Sequence, residues 1–341
     1  MPNGPRAAIV TTLTDAELVI DSFISYHLSI GFDHLFLFFD DPADPSLNRA
    51  AKYSRVTAIK RDHSLRRAWE QSRLYAEDET LRQFVDSEVM ARQELNAGIA
   101  ARLALENNID WLLHIDVDEL FYLSSRTVQE HFKSLGDKNI ERIIYLNYEA
   151  IPERIDIEDY LKEVTLFKRA PRALSGGFFN HAQIDLINSM PELPATFFLY
   201  YGNGKQAGRV TEALLPLGVH AFRPSGSSTE EVSTDAVILH YPCCGFEHFW
   251  RKYKTLGKFN DKWFDRVDIA AAGNTFHLEA RDVVASDDRA AALAFYQKRV
   301  QINDEQRITA LLSSGLCCRI DGPSRLISEK LTPDVAQDGI L

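Results

Sequence analysis

The sequence predicts an α/β protein, with a mostly parallel sheet flanked by helices and a loop-rich second half. Three observations carry this expectation. Two apolar runs near the start, Ala7-Ala8-Ile9-Val10-Thr11 and His34-Leu35-Phe36-Leu37-Phe38-Phe39, show no alternation, as strands covered on both faces do. Between them Leu18, Phe23, Ile24, His27 and Leu28 recur at helical spacing across Ala16 to Ile30, and Gly31 closes the run. The strand, helix, strand order then repeats, which implies right-handed crossovers and ligands bound outside the carboxyl ends of the strands.

Taken in order, the second strand ends on Asp40-Asp41-Pro42, a turn sequence. A short helix precedes Val56-Thr57-Ala58-Ile59, and a long polar helical stretch that allows for breaks runs from about Leu65 to Asn108. The next strand, Trp111-Leu112-Leu113-His114-Ile115, delivers Asp116-Val117-Asp118-Glu119 at its carboxyl end. Both acidic clusters are therefore expected at one crevice. Beyond Glu119 the regularity fades: a helix near Thr127 to Leu135, a strand from Arg142 to Tyr148, then Pro- and Gly-punctuated segments through about Gly208. Strand-like runs follow at Gly218 to Phe222 and Ala236 to Tyr241, then a helix from Phe246 to about Leu256 and a long final helix over roughly Asp287 to Leu312. The stretch after Ser313 reads as a poorly anchored tail.

With 341 residues and 45% hydrophobic content, the chain can bury a substantial core. Its net charge of −11 argues against bare nucleic acid or an anionic membrane as the main partner. No window approaches the roughly 18 to 20 apolar residues of a spanning helix. The expected setting is cytoplasmic, or the Golgi lumen if the chain is the catalytic portion of something longer. The cysteines form two adjacent pairs, Cys243-Cys244 and Cys317-Cys318, without the spacing of a zinc site. They read as reduced thiols, or as one bridge between the pairs in a secretory compartment.

Asp116 and Asp118 are the candidate chemistry. A hard divalent ion takes oxygen ligands, commonly one or two carboxylates plus the phosphates of a substrate. On an extended chain, residues of like parity point the same way, so both carboxylates would face one ion. Asp is also common in turns after strands.

The run Trp111 to Phe121, with Asp116-Val117-Asp118-Glu119-Leu120-Phe121 at its end, resembles the Asp-x-Asp-Glu-Phe signature of glycosyltransferase family 2-like and family 92-like enzymes. Glu17, Ser25-Tyr26-His27 and Gly31-Phe32-Asp33-His34 are similar to the opening of that group. Asn96-Ala97-Gly98 resembles its Arg-Asn-x-Gly helix, although Arg92 stands four residues before Asn96 and not beside it. Pro216 to Phe222 and Ile238-Leu239-His240-Tyr241 resemble its two late histidine strands. The family's Lys-Asn-Glu entry is replaced by Thr14-Asp15-Ala16-Glu17, with only the acid retained.

That resemblance implies a GT-A (Rossmann-like) fold and sugar transfer from a nucleotide-diphosphate donor, a UDP- or GDP-sugar, to a glycan or glycoconjugate hydroxyl, with inversion. It implies Mn2+ or Mg2+ on Asp116, Asp118 and a late histidine, His220 or His240, with His240 favoured because basic residues from Arg251 to Lys258 follow it. Thr11, Glu17, Asp40, Asn96 and Asp116 would contact the donor. The expected organisation is a nucleotide-sugar-binding half over 1–125, an acceptor-binding half with C-terminal helices over 126–315, and a tail over 316–341. The catalytic base would be a carboxylate within reach of the acceptor hydroxyl. Glu149, just past the strand from Arg142, is chosen over Glu247. Lys168, Arg169, Lys205, Arg209, Lys252 and Lys258 are the cations available to a departing diphosphate. A metal-dependent nucleotidyltransferase, or a catalytically inactive carbohydrate-binding protein on the same fold, would share much of this pattern. Neither phosphate-binding glycine motif occurs.

Overall fold

The computed structural model describes residues 4–174, 177–190, 193, 197–224, 229–257 and 259–329. Lys258 and the end of the tail, 330–341, lie outside them. In chain order the strands are β1 (Ala7–Leu13), β2 (His34–Phe39), β3 (Val56–Lys60), β4 (Trp111–His114), β5 (Glu119–Leu123), β6 (Arg142–Tyr145), β7 (Asn147–Ala150) and β8 (Leu166–Lys168). Then come β9 (Lys205–Arg209), β10 (Pro216–Leu217), β11 (Ala221–Phe222), β12 (Glu230–Val232), β13 (Ala236–His240), β14 (Lys262–Trp263), β15 (Val267–Asp268) and β16 (Cys317–Arg319).

The chain forms two compact units. The first takes the residues up to Tyr145, Gly204–Ile238 and the stretch from Leu326; the second takes Leu146–Asn203 and Leu239–Arg325. The chain leaves the first unit after Tyr145 and returns to it after Asn203. The strand expected from Arg142 to Tyr148 is accordingly two, β6 and β7, interrupted at Leu146.

The first unit is built on a seven-stranded sheet of order β12-β6-β9-β4-β1-β2-β3. Strand β1 lies parallel to β2 and β4, and β2 parallel to β3. All seven residues of β1 are buried, which explains the unalternating apolar run. Strand β9 is inserted antiparallel to both β4 and β6, and β12 runs parallel to β6. The sheet is therefore mostly parallel, with a reversal beside β4. The helix Val89–Glu106 packs on β1, burying Ala97, Ala100, Ala101 and Ala104 among others.

Local chemistry sets the helix ends. The expected stretch from Leu65 to Asn108 is four helices, His63–Glu70, Arg73–Glu77, Glu79–Phe84 and Val89–Glu106. Asp62, Ser72 and Asp78 cap the first three through their side chains, and such caps compete with helix continuation. The final helix is likewise two, Arg289–Arg299 and Glu305–Ser313, each capped by an aspartate, Asp288 and Asp304. A further helix, Thr275–Ala285, was not expected.

The first helix, Ile20–Ile30, ends where Gly31 adopts φ +114° and donates its N–H to His27 O. A Cβ there would meet Gln129 Oε1 at 2.7 Å. Gly31→Ala is therefore expected to cost about 1–3 kcal/mol, combining backbone strain with a local clash. Urea denaturation checks this; an unchanged midpoint would show that the helix end relaxes freely.

In the second unit β8 pairs antiparallel with β7 and with β16. Residues 317–319 are thus strand, and the chain beyond Ser313 is not a loose tail at that point. Helices Phe246–Leu256, Thr275–Ala285 and Arg289–Arg299 share an aromatic core of Phe246, Phe249, Tyr253, Phe276 and Tyr296. Cys243, Cys244, Cys317 and Cys318 are all free thiols. No helix among the described residues is long and apolar enough to cross a membrane.

Candidate functional site

The acids at the end of β4 are held by a frame that begins in the first helix. His27 Nδ1 meets Phe23 O at 2.9 Å, which places the proton on that nitrogen. Its Nε2 then accepts from Phe121 N at 3.2 Å, while Tyr26 Oη donates to Phe121 O at 3.0 Å. Burial pushes the His27 pKa down to about 3, consistent with a neutral ring. Tyr26-His27 therefore clamps the backbone of β5 immediately after the acidic turn. Gly31-Phe32-Asp33-His34 is structural as well: Asp33 ties to Ala7 at 2.9 Å, and His34 Nε2 lies 2.7 Å from Thr57 Oγ1.

Asp116 to Asp118 form a turn between β4 and β5, closed by Glu119 N donating to Asp116 O at 3.1 Å. The expected strand-like alternation stops one step short of them. Glu119 points inward, wholly buried, and its Oε2 accepts from Asp116 N at 2.7 Å. Asp116 remains 28% exposed, and Asp118 is partly exposed too.

Asp116 is gripped from two sides. Gln93 Nε2 donates to Oδ1 at 2.8 Å, and Lys205 Nζ donates to Oδ2 at 2.7 Å. Lys205 also lies 3.2 Å from Val219 O and 3.6 Å from Glu119 Oε2, with its side chain wholly buried. The sheet reversal puts it there: in the β4–β9 register Trp111 faces Arg209 and Leu113 faces Ala207, so two residues further on Lys205 stands opposite Ile115. Burial alone would raise the Asp116 pKa, but the neighbouring ammonium outweighs it and holds the carboxyl below the usual carboxylate range. Glu119 is held well above its ordinary value by burial, with Asp116 and Asp118 adding to the effect against the pull of Lys205.

Two histidines of the first unit belong to this surrounding. His220 Nδ1 lies 3.0 Å from Gly204 O, and burial with the adjacent Lys205 charge lowers its pKa to about 3. His114 is wholly buried, and neither ring nitrogen has a hydrogen-bond partner among the described residues. His240, the favoured third ligand, belongs to the second unit, where it packs against Tyr200 and Tyr201. Of the two late histidines, His220 is the one in the same unit as Asp116.

The expected donor contacts have other partners. Thr11 is buried and donates to Ile115 O, tying β1 to the residue before the acidic turn. Asp40 receives both arms of Arg92, at 2.6 and 2.8 Å. Asn96 accepts from Trp69 Nε1 and donates to Thr12 Oγ1, both at 2.9 Å. Glu17 is exposed, and its carbonyl accepts from Arg49. Asn96→Ala is expected to cost about 1–3 kcal/mol, because the Trp69 N–H would be left buried without an acceptor. A thermal melt measures that loss, and an unchanged melt would show the site fills with water.

Glu149, the expected base, lies in the second unit and is 1% exposed. Oε1 accepts from Lys168 Nζ at 2.6 Å, and its oxygens also accept from Leu199 N and Tyr200 N at 2.9 Å. In this structure the carboxylate is thus an internal anchor, joining β7 to Lys168 and to the backbone at 199–200. Glu247 pairs with Arg289 at the surface.

The side chains around Asp116 do not fit a divalent ion as they stand. Among the described residues no three His, Cys, Asp or Glu converge as a metal-binding group. Each Asp116 oxygen already accepts a strong hydrogen bond, one of them from a full positive charge.

No protein-family model matches the chain. It is 28% identical to a glycosyltransferase-like protein of Arabidopsis thaliana over 341 residues, covering 95% of this chain and 72% of that protein. A second Arabidopsis thaliana glycosyltransferase-like protein is 28% identical over 335 residues, covering 95% of this chain and 63% of its own length. Among solved structures, the chain is similar to core-mannan synthase A of Aspergillus fumigatus in its Mn/GDP form, with TM-score 0.30 and 9% identity over 61% of this chain and 60% of that one. It is similar to the S. cerevisiae mannosyltransferase Ktr4p in complex with GDP, with TM-score 0.25 and 11% identity over 56% of this chain and 48% of that one.

Proposed function

We propose that this chain is a glycosyltransferase, moving a sugar, expected to be a hexose, from a nucleotide diphosphate to a hydroxyl of a glycan or glycoconjugate. The observation that carries the reading is the partly exposed pair Asp116 and Asp118 at the carboxyl end of β4, where an α/β sheet binds its ligands. The similarity to glycosyltransferase-like proteins along 95% of the chain supports it. In the proposed step the acceptor oxygen attacks the anomeric carbon, the bond from that carbon to the phosphate oxygen breaks, and the nucleoside diphosphate leaves. The acceptor proton passes to a carboxylate base at the strand-end crevice, and the anomeric carbon inverts.

Membership of the family 2-like or family 92-like group and a UDP- or GDP-sugar donor belong to this proposal. The Mn2+ or Mg2+ that the resemblance implies is not carried into it, since Lys205 already pairs with Asp116. A second reading, a sugar- or nucleotide-binding protein without transfer activity, is favoured by the engagement of Glu149 with Lys168.

Incubation with a panel of UDP- and GDP-sugars and saccharide acceptors, following nucleoside diphosphate release, tests the proposal. Release that depends on acceptor is the expected result. If every donor stays intact and yet calorimetry registers UDP or GDP binding, the second reading holds; silence in both assays removes the donor site altogether.

A further inference from the structure

We propose that Lys205 is the built-in counter-ion of the acidic turn and keeps a divalent metal off Asp116. The ammonium has three N–H groups, and three oxygens surround it: Asp116 Oδ2, Val219 O and Glu119 Oε2, at 2.7, 3.2 and 3.6 Å. Its side chain has no solvent contact, so leaving Asp116 means moving a buried charge without its partner, which is costly. Gln93 holds the other Asp116 oxygen from the helix Val89–Glu106. The carboxylate is thus oriented from both sides by groups of the first unit.

An ion of magnesium size bound at about 2.1 Å from Oδ2 would lie within about 4.8 Å of the Lys205 nitrogen. At that distance the repulsion between a single and a double positive charge weakens binding at least about tenfold, even with the screening of bulk water. The paired ammonium and carboxylate carry no net charge, whereas removing the ammonium exposes an uncompensated acid beside Asp118. Asp-x-Asp spacing here therefore encodes an acid neutralised from within the chain and not a metal ligand. The consequence for sugar transfer, that it proceeds in the presence of EDTA, rests on the glycosyltransferase reading; the exclusion of metal does not.

The test is a titration of Mn2+ followed by its solution electron paramagnetic resonance signal, without any nucleotide. Wild-type protein is expected to leave the free-ion signal undepleted, while Lys205→Met binds Mn2+ at least about tenfold more tightly. Asp116→Asn in the Lys205→Met background should abolish that gain, and Lys205→Arg, which keeps the charge, should show none. Equal Mn2+ uptake by wild type and Lys205→Met overturns the proposal. Should Lys205→Met fail to fold, the wild type decides alone: Mn2+ uptake that Asp116→Asn removes overturns the proposal, and no uptake upholds it. Because no sugar nucleotide is present, an inert donor panel would defeat the glycosyltransferase reading without touching this result.

Discussion

Asp118→Asn is expected to abolish sugar transfer, by at least about a hundredfold, with a stability change within about 0.5 kcal/mol. The turn that carries Asp118 is secured by other residues: Glu119 receives Asp116 N, Glu119 N returns to Asp116 O, and Tyr26 and His27 fasten Phe121. The Asp118 side chain is partly exposed, so the amide can occupy the same place at small cost. What the amide lacks is the negative charge that lets a carboxylate accept the proton of the acceptor hydroxyl. Turnover and the urea midpoint should be measured on the same preparation. A well-folded Asp118→Asn with undiminished turnover would remove the acidic turn from the proposed mechanism.

Lys168→Ala is expected to destabilise the second unit by about 3–5 kcal/mol, because Glu149 would stay buried as a charge with only two backbone N–H groups to hold it. Lys168 is 3% exposed and Glu149 1%, so water cannot readily replace the ammonium. Glu149→Gln separates the two roles that sequence and structure assign to this acid. A base would lose turnover and keep its stability; a structural anchor loses stability first and keeps its turnover per folded molecule. Urea titration of Lys168→Ala decides the first point, and a loss below about 1 kcal/mol would show the pair contributes little.

Some of this was written locally. The apolar runs of β1 and β2, the glycine that ends the first helix and the placement of Asp116 and Asp118 after β4 all follow from patterns only a few residues long. Motifs quoted from the sequence, Tyr26-His27 and Gly31-Phe32-Asp33-His34, recur in the structure as one frame around β5 and β1. Tyr26 and His27 fasten the strand that follows the acidic turn, while Asp33 and His34 tie to β1 and β3. Other readings changed because a side chain's partner lay far away in the chain. Asn96 on a helix looked available to a donor, but Trp69 and Thr12 occupy it. Asp40 looked like a pocket edge, but Arg92 lies against it, 52 residues later.

By itself the amino-acid sequence determined the alternating strand and helix order of the first unit and the carboxyl-end location of the two aspartates, because hydrophobic period and turn chemistry act between near neighbours. Only the tertiary structure decided the charge at that location. Strand β9 reads Lys-Gln-Ala-Gly-Arg, without the β-branched or aromatic residues that mark a strand, and it exists because β4 and β6 supply hydrogen-bonding edges on either side of it. Its antiparallel register carries a buried ammonium across 89 residues of chain to Asp116, and no local pattern encodes a pairing made at that distance.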